Sequence, residues 1–132
     1  MRPVTVLTIA GLDPSGGAGV VADLRAIQHG GGYGLAVTTA STVQGDAGVR
    51  RWLATEPALL AEQLAALDLP IDGIKVGMLG GAEQARVVAT WLTRLGGPHP
   101  GRSISTGSAE PRCSKAGCRG EPSAPPGTGT WS

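Results

Sequence analysis

The sequence predicts an α/β protein built on a parallel sheet, and three observations carry that prediction. Apolar runs of six to ten residues alternate with stretches of helical periodicity in the order β-α-β-α-β-α, a pattern that calls for parallel strands and right-handed crossovers. A glycine-rich loop separates the first such run from the first helix, where open α/β sheets place ligands. Aromatic residues make up 3% of the chain and Phe is absent, so a core must be aliphatic, with small residues letting helices close on the sheet.

The first strand is predicted at Val4 to Ile9 (VTVLTI), whose β-branched, apolar composition suits burial on both faces. From Gly17 onward Val20, Val21, Leu24 and Ile27 recur at helical spacing, and Gly30-Gly31-Gly32 ends the helix. Gly34 to Val43 (GLAVTTASTV) reads as a second strand ending near Gln44-Gly45-Asp46. Thr55, Glu56 and Pro57 suit a helix start, Leu60, Leu64 and Leu67 form its stripe, and Pro70 closes it. Ile71 to Met78 (IDGIKVGM) is the third strand, followed by a helix from Ala82 to Leu95 with Val88, Trp91, Leu92 and Leu95 on one side.

After Gly96 this grammar stops. Of the 36 residues from Gly97 to Ser132, 19 are Gly, Pro or Ser, and Ile104 is the only Val, Leu, Ile or Met. So little apolar surface does not offset ordering entropy, and the reading is a domain over residues 1–96 with a disordered tail over 97–132. The abrupt change matches a shifted reading frame in GC-rich coding DNA, with a natural linker or recruiting tail as the alternative. Cys113 and Cys118 stand in a C-x4-C spacing that fits neither zinc nor redox motifs.

A formal net charge of +1 with 16% charged residues gives no electrostatic reason to expect nucleic acid or a membrane surface as partner. No apolar stretch approaches the roughly 18 residues needed to span a bilayer, and the N-terminus lacks a secretory cleavage pattern. The expectation is a cytoplasmic chain with a small-molecule partner, and a homo-oligomer is open.

AGLDPSGGAGVVADL (residues 10–24) allows several functions. Glycines before a helix let backbone N–H groups approach a phosphate. Gly11-L-D-P-S-Gly16-Gly17 has P-loop glycine spacing without the following Lys-Ser/Thr, so that version fails. Gly17-A-Gly19-V-V-Ala22 fits the dinucleotide pattern loosely, with Asp46 as a mimic of its ribose-binding acid, although seven residues separate Ile9 from Gly17. A third reading needs no phosphate: small residues let a substrate lie against the backbone at a strand end. Asp23 falls about 100° off the helix's apolar stripe, where it either accepts a hydrogen bond from a ligand amino group or faces solvent. Lys75 is read as a solvated or helix-end charge, with a ligand contact as the alternative, and His29 and His99 are assigned nothing.

TIAGLDPSGGAGVVADL, YGLAVTTASTVQ and IDGIKVGML, in that order and spacing, resemble the hydroxymethylpyrimidine/phosphomethylpyrimidine kinases of thiamine biosynthesis, members of the ribokinase-like superfamily. The likeness covers roughly residues 4 to 95. It implies a partial ribokinase-like three-layer fold truncated after the third β-α unit. It also implies ATP- and Mg2+-dependent phosphorylation of hydroxymethylpyrimidine and then of its monophosphate, with Gly11, Asp23, Gln44 and Met78 lining the pyrimidine pocket. A carboxylate and a carboxamide together satisfy the amino donor and ring-nitrogen acceptors of an aminopyrimidine, while Met78 supplies a polarizable wall. In this superfamily the anion hole, the catalytic base and most of the nucleotide site come from the C-terminal half, so no catalytic or metal-binding residue is assigned and the chain alone is expected to be inactive. A non-catalytic pyrimidine-binding module, a dinucleotide-binding fragment and a kinase for pyridoxal or another hydroxymethyl heterocycle are the alternatives.

Overall fold

The computed structural model describes residues 1–96 and 100–107. Its central strand is β1 (Thr5–Leu12), paired in parallel with β2 (Tyr33–Gly45) on one side and with β4 (Gly73–Val76) on the other. β3 (Gly48–Ala54) lies antiparallel outside β2, and β5 (Ser103–Thr106) lies parallel outside β4, giving the order β3-β2-β1-β4-β5.

Alternation along β1 decides which helix covers which face. Leu7 and Ile9 point to the face carrying the main core, where they meet Leu60 and Leu64 of α2 (Pro57–Ala65) and Val88 of α3 (Ala82–Arg94). These five side chains are at most 2% exposed, and each contributes about 1.5–3 kcal/mol by leaving water. Thr8 and Ala10 point to the opposite face, which is covered by α1 (Gly19–His29). Leu24 and Ile27 of α1 pack so closely that a Cβ on Gly34 would lie 2.6 Å from Leu24 and one on Gly32 would lie 3.0 Å from Ile27. The result is a three-layer helix–sheet–helix arrangement.

The sequence-predicted strands and helices are present with shifted ends. The first helix begins at Gly19, two residues after Gly17, because Asp13–Ala18 form a loop of their own. The strand predicted from Ile71 to Met78 pairs over Gly73–Val76, and the chain then turns away toward the site. β3 departs from the all-parallel expectation. The sequence assigns no element between Asp46 and Thr55, yet Arg50 and Arg51 project to solvent from an edge strand joined to β2 by a tight hairpin at Asp46-Ala47, and exposed charge is how edges resist further pairing. β5 was not anticipated: Ser103–Thr106 fall in the stretch read from sequence as disordered. Four residues with one apolar side chain are ordered by the sheet edge they extend, Ile104 packing on the core and Arg102 donating to Ile71 O and Leu95 O at 3.2 and 2.8 Å. His99, Cys113, Cys118 and the other tail residues at 97–99 and 108–132 lie outside the described residues. Among the described residues no helix is long and apolar enough to cross a membrane.

At the amino end of the sheet Arg2 donates to both carboxylate oxygens of Asp72 at 2.6 and 2.7 Å, and Asp72 also accepts from the Thr5 N–H at 2.8 Å. The Arg2 guanidinium, followed by the Thr5 N–H, pulls the Asp72 carboxyl from 3.8 down to about 2. A carboxylate whose folded value lies below its unfolded one stabilises fully above the unfolded value and loses that contribution as pH falls through the folded one. Urea midpoints are therefore expected to drop between about pH 4 and pH 2, and Asp72→Asn should start lower at pH 7 and lose less across that window. Equal pH slopes for the two proteins would refute the assignment.

Candidate functional site

Strand order reverses at β1: the chain moves outward to β2 and β3, then returns to β4 on the other side of β1. The crevice beyond the carboxyl ends of strands at such a reversal is where open α/β sheets bind ligands. A cavity of about 160 Å³ opens there. Ala10 and Gly11 from the end of β1, Ala18 and Gly19 from the start of α1 and Gly77 after β4 give it walls with little side-chain bulk. Val49 and Met78 add apolar surface, and Asp13, Thr42, Gln44 and Lys75 bring polar groups.

Two irregularities in strand pairing shape this cavity. Between Ala10 and Gly11 the β1–β2 register jumps from Thr38 to Ala40, leaving Thr39 out of the ladder. The Thr39 hydroxyl donates to Met78 O instead, fixing the residue after Gly77 against the sheet. A second shift, between Val43 and Gln44 in the β2–β3 pairing, falls at the carboxamide that lines the cavity. Extra residues of this kind bend a strand and re-aim side chains, and they concentrate near functional sites. Thr42 donates to Leu12 O at 2.7 Å and lies 3.3 Å from Gln44 Oε1; its hydroxyl has one proton, so the shorter bond claims it and Gln44 keeps bonding capacity for a ligand.

The glycine loop is held from within. Asp13, 3% exposed, accepts from the Ser15 N–H and hydroxyl through Oδ1 at 2.8 and 2.7 Å and from the Ala18 N–H through Oδ2 at 3.0 Å. Burial pushes the Asp13 carboxyl up, but the hydrogen bonds from Ser15, Ala18 and Gly17 outweigh it and hold the group below the ordinary carboxylate range. Ala18 at the N-cap offers no side-chain cap of its own, and Asp13 instead accepts from the N–H of that residue, fixing the chain as it enters the helix. The loop then passes under β1: Gly19 has φ +62°, and a Cβ there would lie 2.1 Å from Gly11 O.

Of the four residues expected at the pocket, Gly11, Gln44 and Met78 line it, and Asp23 does not. The helical angle that suggested a ligand-facing carboxylate turns Asp23 toward a polar spot on the sheet. Its Oδ2 accepts from the buried Thr8 hydroxyl at 2.6 Å and from Lys75 Nζ at 2.7 Å. Thr8 and Lys75 are register partners on neighbouring strands. Lys75, for which the sequence left a solvated, helix-end or ligand-contacting role open, is an ion-pair partner of Asp23 and a lining residue of the cavity. Asp13 also went unassigned; its signal was the Asp-Pro-Ser opening of the loop, where an Asp side chain bonds to the backbone two residues on.

The family model for phosphomethylpyrimidine kinase matches residues 13–99. The chain is 48% identical over 89 residues to the thiamine biosynthesis multifunctional protein ThiED of Corynebacterium glutamicum, covering 66% of this chain and 12% of that protein. It is 43% identical over 96 residues to the hydroxymethylpyrimidine/phosphomethylpyrimidine kinase of Escherichia coli, covering 71% and 36%. It therefore spans only about a third of the single-function relative. Among solved structures, phosphomethylpyrimidine kinase from Clostridium difficile superposes with a TM-score of 0.70 at 32% identity, over 77% of this chain and 44% of that one. The pyridoxal kinase of Staphylococcus aureus in complex with AMP-PCP and pyridoxal gives 0.67 at 30% identity, over 79% and 39%. The fold is thus that of the ribokinase-like phosphomethylpyrimidine and pyridoxal kinases.

The Gly11–Gly19 approach makes a direct prediction. Gly19→Ala adds a clash with backbone to a positive φ and should cost more than about 2 kcal/mol in urea denaturation. Gly45→Ala, where a Cβ would meet nothing within 4 Å, should stay within about 0.5 kcal/mol of the parent. Similar costs for the two would mean that the loop relaxes around the added methyl.

Proposed function

The chain belongs to the phosphomethylpyrimidine kinase family, and from that premise we propose that its cavity is the pyrimidine-binding part of a kinase that phosphorylates hydroxymethylpyrimidine and its monophosphate in thiamine biosynthesis. The observation that carries this reading is the convergence of Gly11, Gln44 and Met78 on one ring-sized cavity. At about 160 Å³ it falls below the roughly 300 Å³ where drug-sized pockets begin, which suits a single substituted ring better than a dinucleotide. Gly11 and its small neighbours let a flat heterocycle approach the backbone, Met78 packs against its face, and the Gln44 carboxamide offers an acceptor and donors to an aminopyrimidine edge.

Phosphate binding at this loop has less support. The amides of Ser15, Gly17 and Ala18, which an incoming anion would use, serve the Asp13 carboxylate, and a buried carboxylate repels a phosphate at the same place. Asp23 acts on the pocket only through Lys75. ATP and Mg2+ enter this reading from the family. The proposal for this chain concerns the pyrimidine side alone. The likeness to pyridoxal kinase favours a second reading, in which the ring is a pyridoxal-type heterocycle.

Calorimetric titration with 4-amino-5-hydroxymethyl-2-methylpyrimidine, pyridoxal and NAD separates the readings. The aminopyrimidine is expected to bind most tightly, and Gln44→Ala should weaken it about tenfold, the effect of leaving one polar edge unpaired. Saturable NAD binding without aminopyrimidine binding would overturn the proposal. In a coupled assay for ADP release with Mg-ATP, the 132-residue chain is expected to show no turnover above its Gln44→Ala variant.

A further inference from the structure

Lys75 is the cation at the cavity wall, and its bonding is incomplete. An ammonium carries three N–H donors, and among the described residues Lys75 Nζ makes one hydrogen bond, to Asp23 Oδ2 at 2.7 Å. Its side chain is only 22% exposed and that of Asp23 only 12%, so bulk water does not fully compensate the remaining donors. Space is kept for the ammonium on the cavity side: a Cβ on Gly77, another lining residue, would lie 3.0 Å from Nζ. Asp23 is itself fixed by the buried Thr8 hydroxyl at 2.6 Å, so the pair is anchored to β1 and held toward the cavity.

From these observations we propose that Lys75 is a specificity-determining residue that donates a hydrogen bond to the hydroxymethyl oxygen of the ring bound in the cavity. This rests on the aminopyrimidine reading above, in which Gln44 takes the amino edge and leaves the hydroxymethyl oxygen as an acceptor needing a donor. Because Asp23 already neutralises the ammonium, the pair presents donors without net charge. Gly77 beside Nζ, with Ala10 and Gly11 elsewhere in the same lining, brings no side chain that would block a ring substituent or compete as an acceptor.

The test compares 4-amino-5-hydroxymethyl-2-methylpyrimidine with 4-amino-2,5-dimethylpyrimidine, which lacks only the oxygen, by calorimetric titration of the full chain. The parent is expected to favour the hydroxymethyl compound by about tenfold, as a hydrogen bond to a charged donor gives. Lys75→Met should erase that preference, bringing both compounds to the affinity the parent shows for the dimethyl one. Lys75→Met leaves the Asp23 carboxylate partly buried without its cation, so the double variant Asp23→Met/Lys75→Met, which removes both charges, is measured alongside it. The same loss of preference in a folded double variant supports the assignment. Retained preference in either variant, or an equal weakening of both compounds, would show that Lys75 is structural and overturn it. Failure of the parent to bind either ring would instead refute the aminopyrimidine reading itself, and the assignment with it.

Discussion

The structure depends on one strand being buried on both faces. β1 has a neighbour on each side and a helical layer above and below, and from Leu7 to Gly11 every residue is buried. Its alternation allocates the layers: Leu7 and Ile9 demand the apolar sides of α2 and α3, while Thr8 demands a polar partner from α1. A strand in this position leaves no register freedom, since a slip by one residue would bury the Thr8 hydroxyl in the aliphatic core and send Leu7 toward Asp23. Fixing β1 also fixes where it ends, and the loop to α1 must begin at Gly11–Asp13.

Much of this was legible because it is local. The β-branched run, the helical spacing of Val20, Leu24 and Ile27, and the Pro57 start each report their own segment's burial. β3 and β5 were illegible for the opposite reason. Gly48–Ala54 carries two arginines and alternates poorly, and Ser103–Thr106 has one apolar residue; both are edge strands ordered by the strand they pair with. The site divides in the same way. Gly11, Gln44 and Met78 lie at strand ends that the motif marks, and the structure brings them to one cavity. Asp23 was placed by the resemblance, its helical angle leaving both a ligand and solvent open, and neither says what waits on the sheet; Thr8 and Lys75 are 15 and 52 residues away in sequence.

The Asp23–Lys75 pair is an odd choice if stability alone matters. Partly buried ion pairs return little beyond their desolvation cost, and apolar replacements of similar volume are often neutral or stabilising. Aliphatic residues at both positions would have extended the packing of α1 onto the sheet. A pair kept polar at this point gives the α1 side of the sheet a unique docking position, because Asp23 must meet Thr8 on β1 and Lys75 on β4 together. It also brings a cation to a cavity whose other walls are mostly small or apolar.

The cavity is, in the end, a consequence of strands that stop pairing at different points. β4 leaves the ladder after Val76, the β1–β2 register slips at Gly11, and the β2–β3 register slips at Gln44. Each departure releases backbone or side-chain groups that a regular sheet would have consumed, and each is caught again by a specific partner: Thr39 holds Met78 O, Thr42 holds Leu12 O, and Asp13 holds the loop amides. Among the described residues no buried side-chain polar atom lacks a partner. The groups with unused capacity are therefore those at the cavity surface, Gln44 and Lys75 foremost. A polar ligand entering here meets donors and acceptors whose positions were fixed when the sheet formed, so its binding does not have to include the cost of ordering them.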